Sequence, residues 1–175
     1  MPELPEVEVV KKSLENKLKN LTIKRVNITN NKLRYKIDSK LFNKIKSQKI
    51  ISIQRRSKYL LINLNKNFTI LAHLGMTGKF FIIDNNKKQK TSFYYSLKKK
   101  DTKHDHITFI FNKKIKLVYN DVRKFGFIKI FNTTNVFKCS HLASLGPEPL
   151  SRNFNLNYFN KYIFNKKTKI KDLIM

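Results

Sequence analysis

The runs KIISIQRR (49–56), KYLLINLN (58–65) and FTILAHL (68–74) follow one another with almost no spacer. Each is short, rich in Ile, Leu and Phe, and bounded by turn residues, so the three read as consecutive β-strands. NKN (65–67) has the length of a hairpin loop. Downstream, KFFIID (79–84), HITFIF (106–111), IKLVY (115–119) and GFIKIF (126–131) have the same character, and NKK (112–114) is a second hairpin-length connection. Upstream, TIKRVNIT (22–29) alternates, with Ile23, Val26 and Ile28 as its expected inward set. Asp38 or Ser39 can cap a short helix carrying Leu41, Phe42 and Ile45. The first helix is expected over residues 3–20, because Val7, Val10, Leu14 and Leu18 recur at helical spacing. So many strands after one helix predict an α+β chain, a β-sandwich with helices at its side or end.

Residues 85–103 read as a lysine-rich, solvated loop. After Phe131 the pattern changes. GPEPL (146–150) breaks the chain, a helix-like stretch covers residues 155–165, and Ile170, Leu173 and Ile174 begin another helical period. The organisation expected is a sandwich domain over 1–132, a linker over 133–150, and the start of an all-α domain over 151–175.

The balance of 38 Lys+Arg against 11 Asp+Glu gives a formal charge of +27 and favours a polyanionic partner, nucleic acid first. Abundant Lys, Asn, Ile and Phe with little Gly or Trp would also follow from an AT-rich genome, so the charge supports this reading without proving it. Cys139 is the only cysteine, which rules out a disulfide within the chain and a cysteine-based zinc site. No apolar run is long enough to span a membrane, and the acidic N-terminus is unlike a signal peptide, so a cytoplasmic protein is expected.

MPELPEVE (1–8) is where covalent chemistry can reside. With Met1 removed, Pro2 carries a secondary amine able to form a protonated imine with an electrophilic carbon. An α-amino group with pKa near ~7.7 is roughly one-sixth neutral at pH 7, far more than a lysine. The positive end of the following helix dipole favours that neutral, nucleophilic form. Glu3 and Glu6 lie beside it as acid/base groups. Pro and Glu are equally ordinary first-turn residues.

MPELPEVE resembles the N-terminus of the formamidopyrimidine-DNA glycosylase family, bacterial enzymes that excise oxidised purines and cut the abasic site. Five further motifs in the family's order extend the likeness: RRSKYLL (55–61), HLGMTG (73–78), KHDH (103–106), DVRKFGF (121–127) and HLASLGPEPL (141–150). The resemblance implies Pro2 as nucleophile at C1′ of a flipped nucleotide, Glu3 as proton donor or relay at the sugar, and Glu6 as an ordering residue. It implies that Lys58 assists base loss and β-elimination. Met76 would fill the gap in the base stack, which suits an unbranched apolar side chain. Arg123 would face the orphaned base and Phe125 would act as a wedge. His73, His104 and Lys166 would contact the DNA. Val122 replaces the family's usual proline and Lys124 a common second arginine, departures that bear on loop rigidity.

His104 and His106 share a strand face at a spacing a metal could use, but a fourth ligand is not evident. No metal site is expected, and no cofactor, since the family's four-cysteine zinc finger has no counterpart in this chain. The chain is expected to be a C-terminally truncated member that ends just inside a helix–two-turn–helix domain. The partner implied is duplex DNA bearing an oxidised purine such as 8-oxoguanine, a formamidopyrimidine or an abasic site. The protein is expected to act as a monomer, associated with the bacterial nucleoid. Two rivals stand beside this: a non-catalytic, basic DNA-binding remnant of the same family, and an unrelated RNA-binding protein that would leave PELPE, RRSKYLL and HLGM unexplained.

Overall fold

A computed structural model of the chain describes residues 2–95 and 102–174. Helix α1 spans Leu4–Leu18 and starts with a capping box. The Glu3 side chain accepts from the backbone of Glu6, and the Glu6 carboxylate accepts the Glu3 N–H at 2.9 Å. Val7, Val10, Leu14 and Leu18 form its buried stripe and pack on β2 (Ile50–Arg56) and β3 (Tyr59–Leu64). Each such side chain contributes about 1.5–3 kcal/mol by leaving water, so Leu14→Ala would cost roughly 2–5 kcal/mol.

Two antiparallel sheets face each other. One holds β2, β3, β4 (Phe68–His73) and β9 (Phe127–Asn132) in that order. The other runs β1 (Ile23–Ile28), β7 (Asp105–Phe111), β8 (Lys116–Asn120), β5 (Lys79–Asp84) and β6 (Lys87–Lys90). The period of two sorts β3 cleanly. Leu60, Ile62 and Leu64 join the inter-sheet core with Phe80, Phe109 and Tyr119, while Leu61 points the other way. On that outer face Leu61, Leu71 and Phe127 meet Val136 and Leu142 of the segment after β9. Burial on both faces is why β3 and β4 read as nearly unbroken apolar runs. In β1 the expected inward residues Ile23 and Val26 are an odd number of positions apart, and a register shift between Ile23 and Arg25 accommodates them.

Several expectations need correction. The loop expected over 85–103 contains β6, whose Lys87–Lys90 pair by backbone with Asp84–Phe81. Its side chains carry no apolar period, so nothing in KKQK signals a strand. Residues 91–95 are also fixed, with Thr91, Ser92 and Tyr95 buried, while 96–101 lie outside the described residues. The NKK connection joins the antiparallel pair β7–β8 as a hairpin, as expected, through a 3₁₀ turn, Asn112–Lys114, with Lys113 and Lys114 at positive φ. The stretch 133–150 is more than a spacer: a 3₁₀ helix over Thr133–Lys138 buries Val136 on the outer face of the four-stranded sheet. Helices α2 (Ser39–Lys44), capped by Asp38, α3 (Leu156–Ile163) and α4 (Ile170–Ile174) fall where expected.

Candidate active site and nucleic-acid interface

Two connections cross between the sheets at one end of the sandwich: residues 74–78 lead from β4 to β5, and 121–126 from β8 to β9. Asp121, fully buried, ties them together. Its Oδ1 accepts from the Thr77 hydroxyl at 2.5 Å, and its Oδ2 accepts the Gly126 N–H at 2.8 Å. The Thr77 hydroxyl oxygen in turn accepts the Arg123 N–H at 3.0 Å. The loops touch at two glycines. Gly75 sits at φ +62°, and a Cβ built there would lie 2.5 Å from the Gly126 nitrogen. A Cβ on Gly126 would meet the Tyr119 hydroxyl and lie 2.6 Å from the His73 carbonyl oxygen.

This frame presents Met76 and Phe125 with nearly half their surface exposed, and Arg123 lies over the Phe125 ring at 4.5 Å. They line a cleft of about 560 Å³ together with Arg34, His73 and Lys124. The three gap-filling candidates thus come together, although Met76 is 47 positions from Arg123 in sequence. Lys124 is at φ +58°, and Val122 is exposed. His73 accepts the Gly75 N–H on Nδ1 at 3.1 Å, so its ring proton sits on Nε2. Burial, then the charges of Arg34 and Lys58 and the nearby His141, hold the His73 pKa below the ordinary 6.5. Burial favours the uncharged ring, and the neutral Nε2–H beside Arg34 is left as a donor facing the cleft.

Beside Met76 lies the N-terminal cluster. Pro2 and Glu6 line a groove of about 240 Å³ with Met76 and Thr77. Around the helix start, Glu3 and Lys58 share a second groove of about 350 Å³ with residues 145–149. Lys58 Nζ is 2.5 Å from Glu3 Oε2, which brings three of the four predicted catalytic residues into one hydrogen-bonded chain, Lys58–Glu3–Glu6. Lys58 is offered by a tight turn between β2 and β3, with Ser57 at φ +51°. Glu148 holds that turn. Its carboxylate accepts from Arg55 Nη2 at 2.8 Å, Arg56 Nη1 at 3.0 Å and Ser57 N at 2.6 Å. Burial alone would raise its pKa, but these donors outweigh it and leave the carboxyl below the usual glutamate range. Arg55 also reaches Glu8 of α1 at 2.8 Å, so helix, turn and the GPEPL segment form one charged junction.

The remaining predicted residues lie apart. His104 precedes β7 instead of sharing its face with His106. His106 is buried, with Nε2 2.7 Å from the Asp121 carbonyl, an acceptor that requires the proton on Nε2. It is a support for the Asp121 loop, and among the described residues no group of three or more His, Cys, Asp or Glu could hold a metal ion. Lys166 is exposed in the turn after α3. Arg34, Asp121 and Glu148 escaped the sequence reading. For Arg34 a signal existed: Leu33, Tyr35 and Ile37 alternate inward, which turns Arg34 out toward the cleft. Glu148 stands in a quoted motif, but nothing local marks its three partners some 90 positions away.

Fold and site define a class: a helix-flanked β-sandwich whose Pro2 adjoins a Lys58–Glu3 ion pair and a basic cleft edged by Met76 and Phe125. Residues 1–128 match the formamidopyrimidine-DNA glycosylase N-terminal domain. The chain is 43% identical over its whole length to a formamidopyrimidine-DNA glycosylase of Rickettsia bellii, and 35% identical to one of Wolbachia pipientis, covering 59% of each. It superposes with a TM-score of 0.81, at 29% identity, on Lactococcus lactis Fpg in complex with abasic-site DNA, matching 99% of this chain and 60% of that one. The same enzyme bound to N7-benzyl-Fapy-dG DNA gives a TM-score of 0.80. The chain belongs to the formamidopyrimidine-DNA glycosylase family. It spans about 59% of the length of the curated relatives it matches. No helix among the described residues is long and apolar enough to cross a membrane.

Proposed function

We propose that this chain is a DNA repair glycosylase and abasic-site lyase acting on oxidised purines in duplex DNA, as a cytoplasmic, nucleoid-associated monomer without a cofactor of its own. The observation that carries the reading is the Lys58–Glu3 pair at 2.5 Å, one residue from Pro2. With Met1 removed, the Pro2 nitrogen attacks C1′ of the expelled nucleotide. The N–C1′ bond forms as the glycosidic bond breaks, and the base leaves with that electron pair and takes up a proton. Glu3 protonates the sugar ring oxygen, the ring opens, and loss of the amine proton leaves the iminium. Lys58, in hydrogen-bond reach of Glu3, restores its proton, while the Glu6 carboxylate fixes the Glu3 backbone. Lys58, left neutral once it has returned a proton to Glu3, takes the C2′ proton, the electron pair forms the C2′–C3′ double bond, and the 3′ phosphate leaves by β-elimination. His73 and Arg34 offer donors and charge for the phosphates flanking the gap, and His104 and Lys166 supply further contacts along the backbone.

Borohydride trapping on duplexes carrying an abasic site or 8-oxoguanine tests this. A covalent band that Pro2→Gly weakens or abolishes and Glu3→Gln slows is the expected result. A folded protein lacking Met1 that gives no band on either duplex refutes the enzyme and leaves a second reading favoured by the charge of +27, a lesion-blind DNA-binding protein whose affinity falls steeply with salt.

A further inference from the structure

Thr91–Tyr95 follows β6 and leads the chain back over the Pro2 groove. Its anchors are firm: the Thr91 hydroxyl donates to the Phe80 carbonyl at 2.7 Å, Ser92 is buried, and the Tyr95 ring meets Phe81 at 6.0 Å. Between these anchors two large aromatic side chains stand in solvent, Phe93 at 69% and Tyr94 at 59% exposure. Tyr94 lines the groove with Pro2, Glu6, Met76 and Thr77. Phe93 does not line it; it packs on the Tyr94 ring at 4.1 Å and braces it. Neither residue serves the core, and a hydrophobic surface held in place at the mouth of a groove calls for an occupant.

The geometry points to Tyr94 as a stacking platform for the damaged base during excision, with Phe93 as its support. This rests on the function proposed above. If Pro2 attacks C1′, the base on that carbon must lie within one sugar's reach of Pro2, and among the described residues two of the grooves adjoin the start of α1. The one with Arg56, Lys58 and Glu3 is charged and suits sugar and phosphate. The other, about 240 Å³, sets Met76 and the Tyr94 and Tyr95 rings beside Glu6, Lys79 and Ser92, apolar faces with a few polar groups that suit a flat heterocycle with polar edges. Every base has a π-face, so such a platform holds modified purines while Glu6 stays free to meet a polar edge.

The test separates substrates with and without a base. Tyr94→Ala should slow base release from an 8-oxoguanine duplex about tenfold in single turnover, the loss expected for one base–aromatic stack. Its trapping on an abasic duplex should stay within about twofold of the parent protein. Tyr94→Phe should restore release, and Phe93→Ala should show a smaller loss of the same kind. Equal losses on both duplexes, or no loss on either, would overturn the proposal. Equilibrium binding to 8-oxoguanine and baseless tetrahydrofuran duplexes reads the same preference without chemistry. A parent chain that binds the base-bearing duplex in a Tyr94-dependent way but traps nothing would keep this inference and refute the proposed reaction.

Discussion

Replacing Glu148 with glutamine keeps the shape of the junction and removes the charge on which three donors converge. Arg55, Arg56 and the Ser57 amide all lie within 3.0 Å of its carboxylate. Hydrogen bonds to a charged group are worth about 1.5–3 kcal/mol each when well shielded. These side chains keep 14–24% of their surface in water, and Arg55 retains Glu8, so the combined loss is smaller than the sum. About 2 kcal/mol is the expected destabilisation. For a chain of this length that lowers Tm by roughly 4–8 °C. Glu148 titrates below the ordinary glutamate value of 4.5 in the folded protein. Its contribution is therefore complete above that pH and is lost as the pH falls through the depressed folded value. Thermal unfolding of parent and Glu148→Gln across this range should show two curves converging in acid. Because Glu148 also fixes the amide next to Lys58, borohydride trapping should slow about tenfold. A Tm difference under about 1 °C at neutral pH, or one that persists undiminished in acid, would refute the assignment of Glu148 as the clamp.

Asp121→Asn turns a donor toward Thr77 or Gly126 and should cost about 2–3 kcal/mol in urea unfolding, with faster proteolysis of loop 121–126. Gly126→Ala, whose Cβ meets the Tyr119 hydroxyl and the His73 carbonyl, should cost about 1–3 kcal/mol and weaken binding to a baseless duplex. His73 and His141 both titrate below 6.5. The unfolded chain therefore binds protons that the folded chain refuses, and stability should fall as pH drops below about 6.5. Replacing both with glutamine should flatten that slope in a series of denaturant titrations.

The layered fold was legible because apolar periodicity is a local signal. The 3.6-residue stripe of Val7, Val10, Leu14 and Leu18 and the apolar runs of β3 and β4 each announce their element within a few residues. Strand β6 was not, since it is held by backbone pairing to β5 and its Lys and Gln side chains face water. Pro2, Glu3, Lys58, Met76, Arg123 and Phe125 were singled out from motifs, and the fold gathers them at one end of the sandwich. Residues that act through distant partners stayed hidden. Asp121 draws its donors from Thr77 and Gly126, and Glu148 from residues on the far side of the chain. His104 and His106 show the opposite error, an i, i+2 spacing that a register shift between Asp105 and Ile107 undoes.

The carboxylate of Asp121 joins the two connections that pass between the sheets, and those connections carry Met76, Arg123 and Phe125. Whatever alters the angle between the sheets therefore moves all three side chains together, as one unit. A bulky or small substitution at Phe80 or Tyr119, deep in the sandwich, would re-aim residues that never touch it. The aim of the exposed side chains at this end is thus set from the core as much as from the surface, and variants selected for sheet packing would inherit a change in the shape of the cleft.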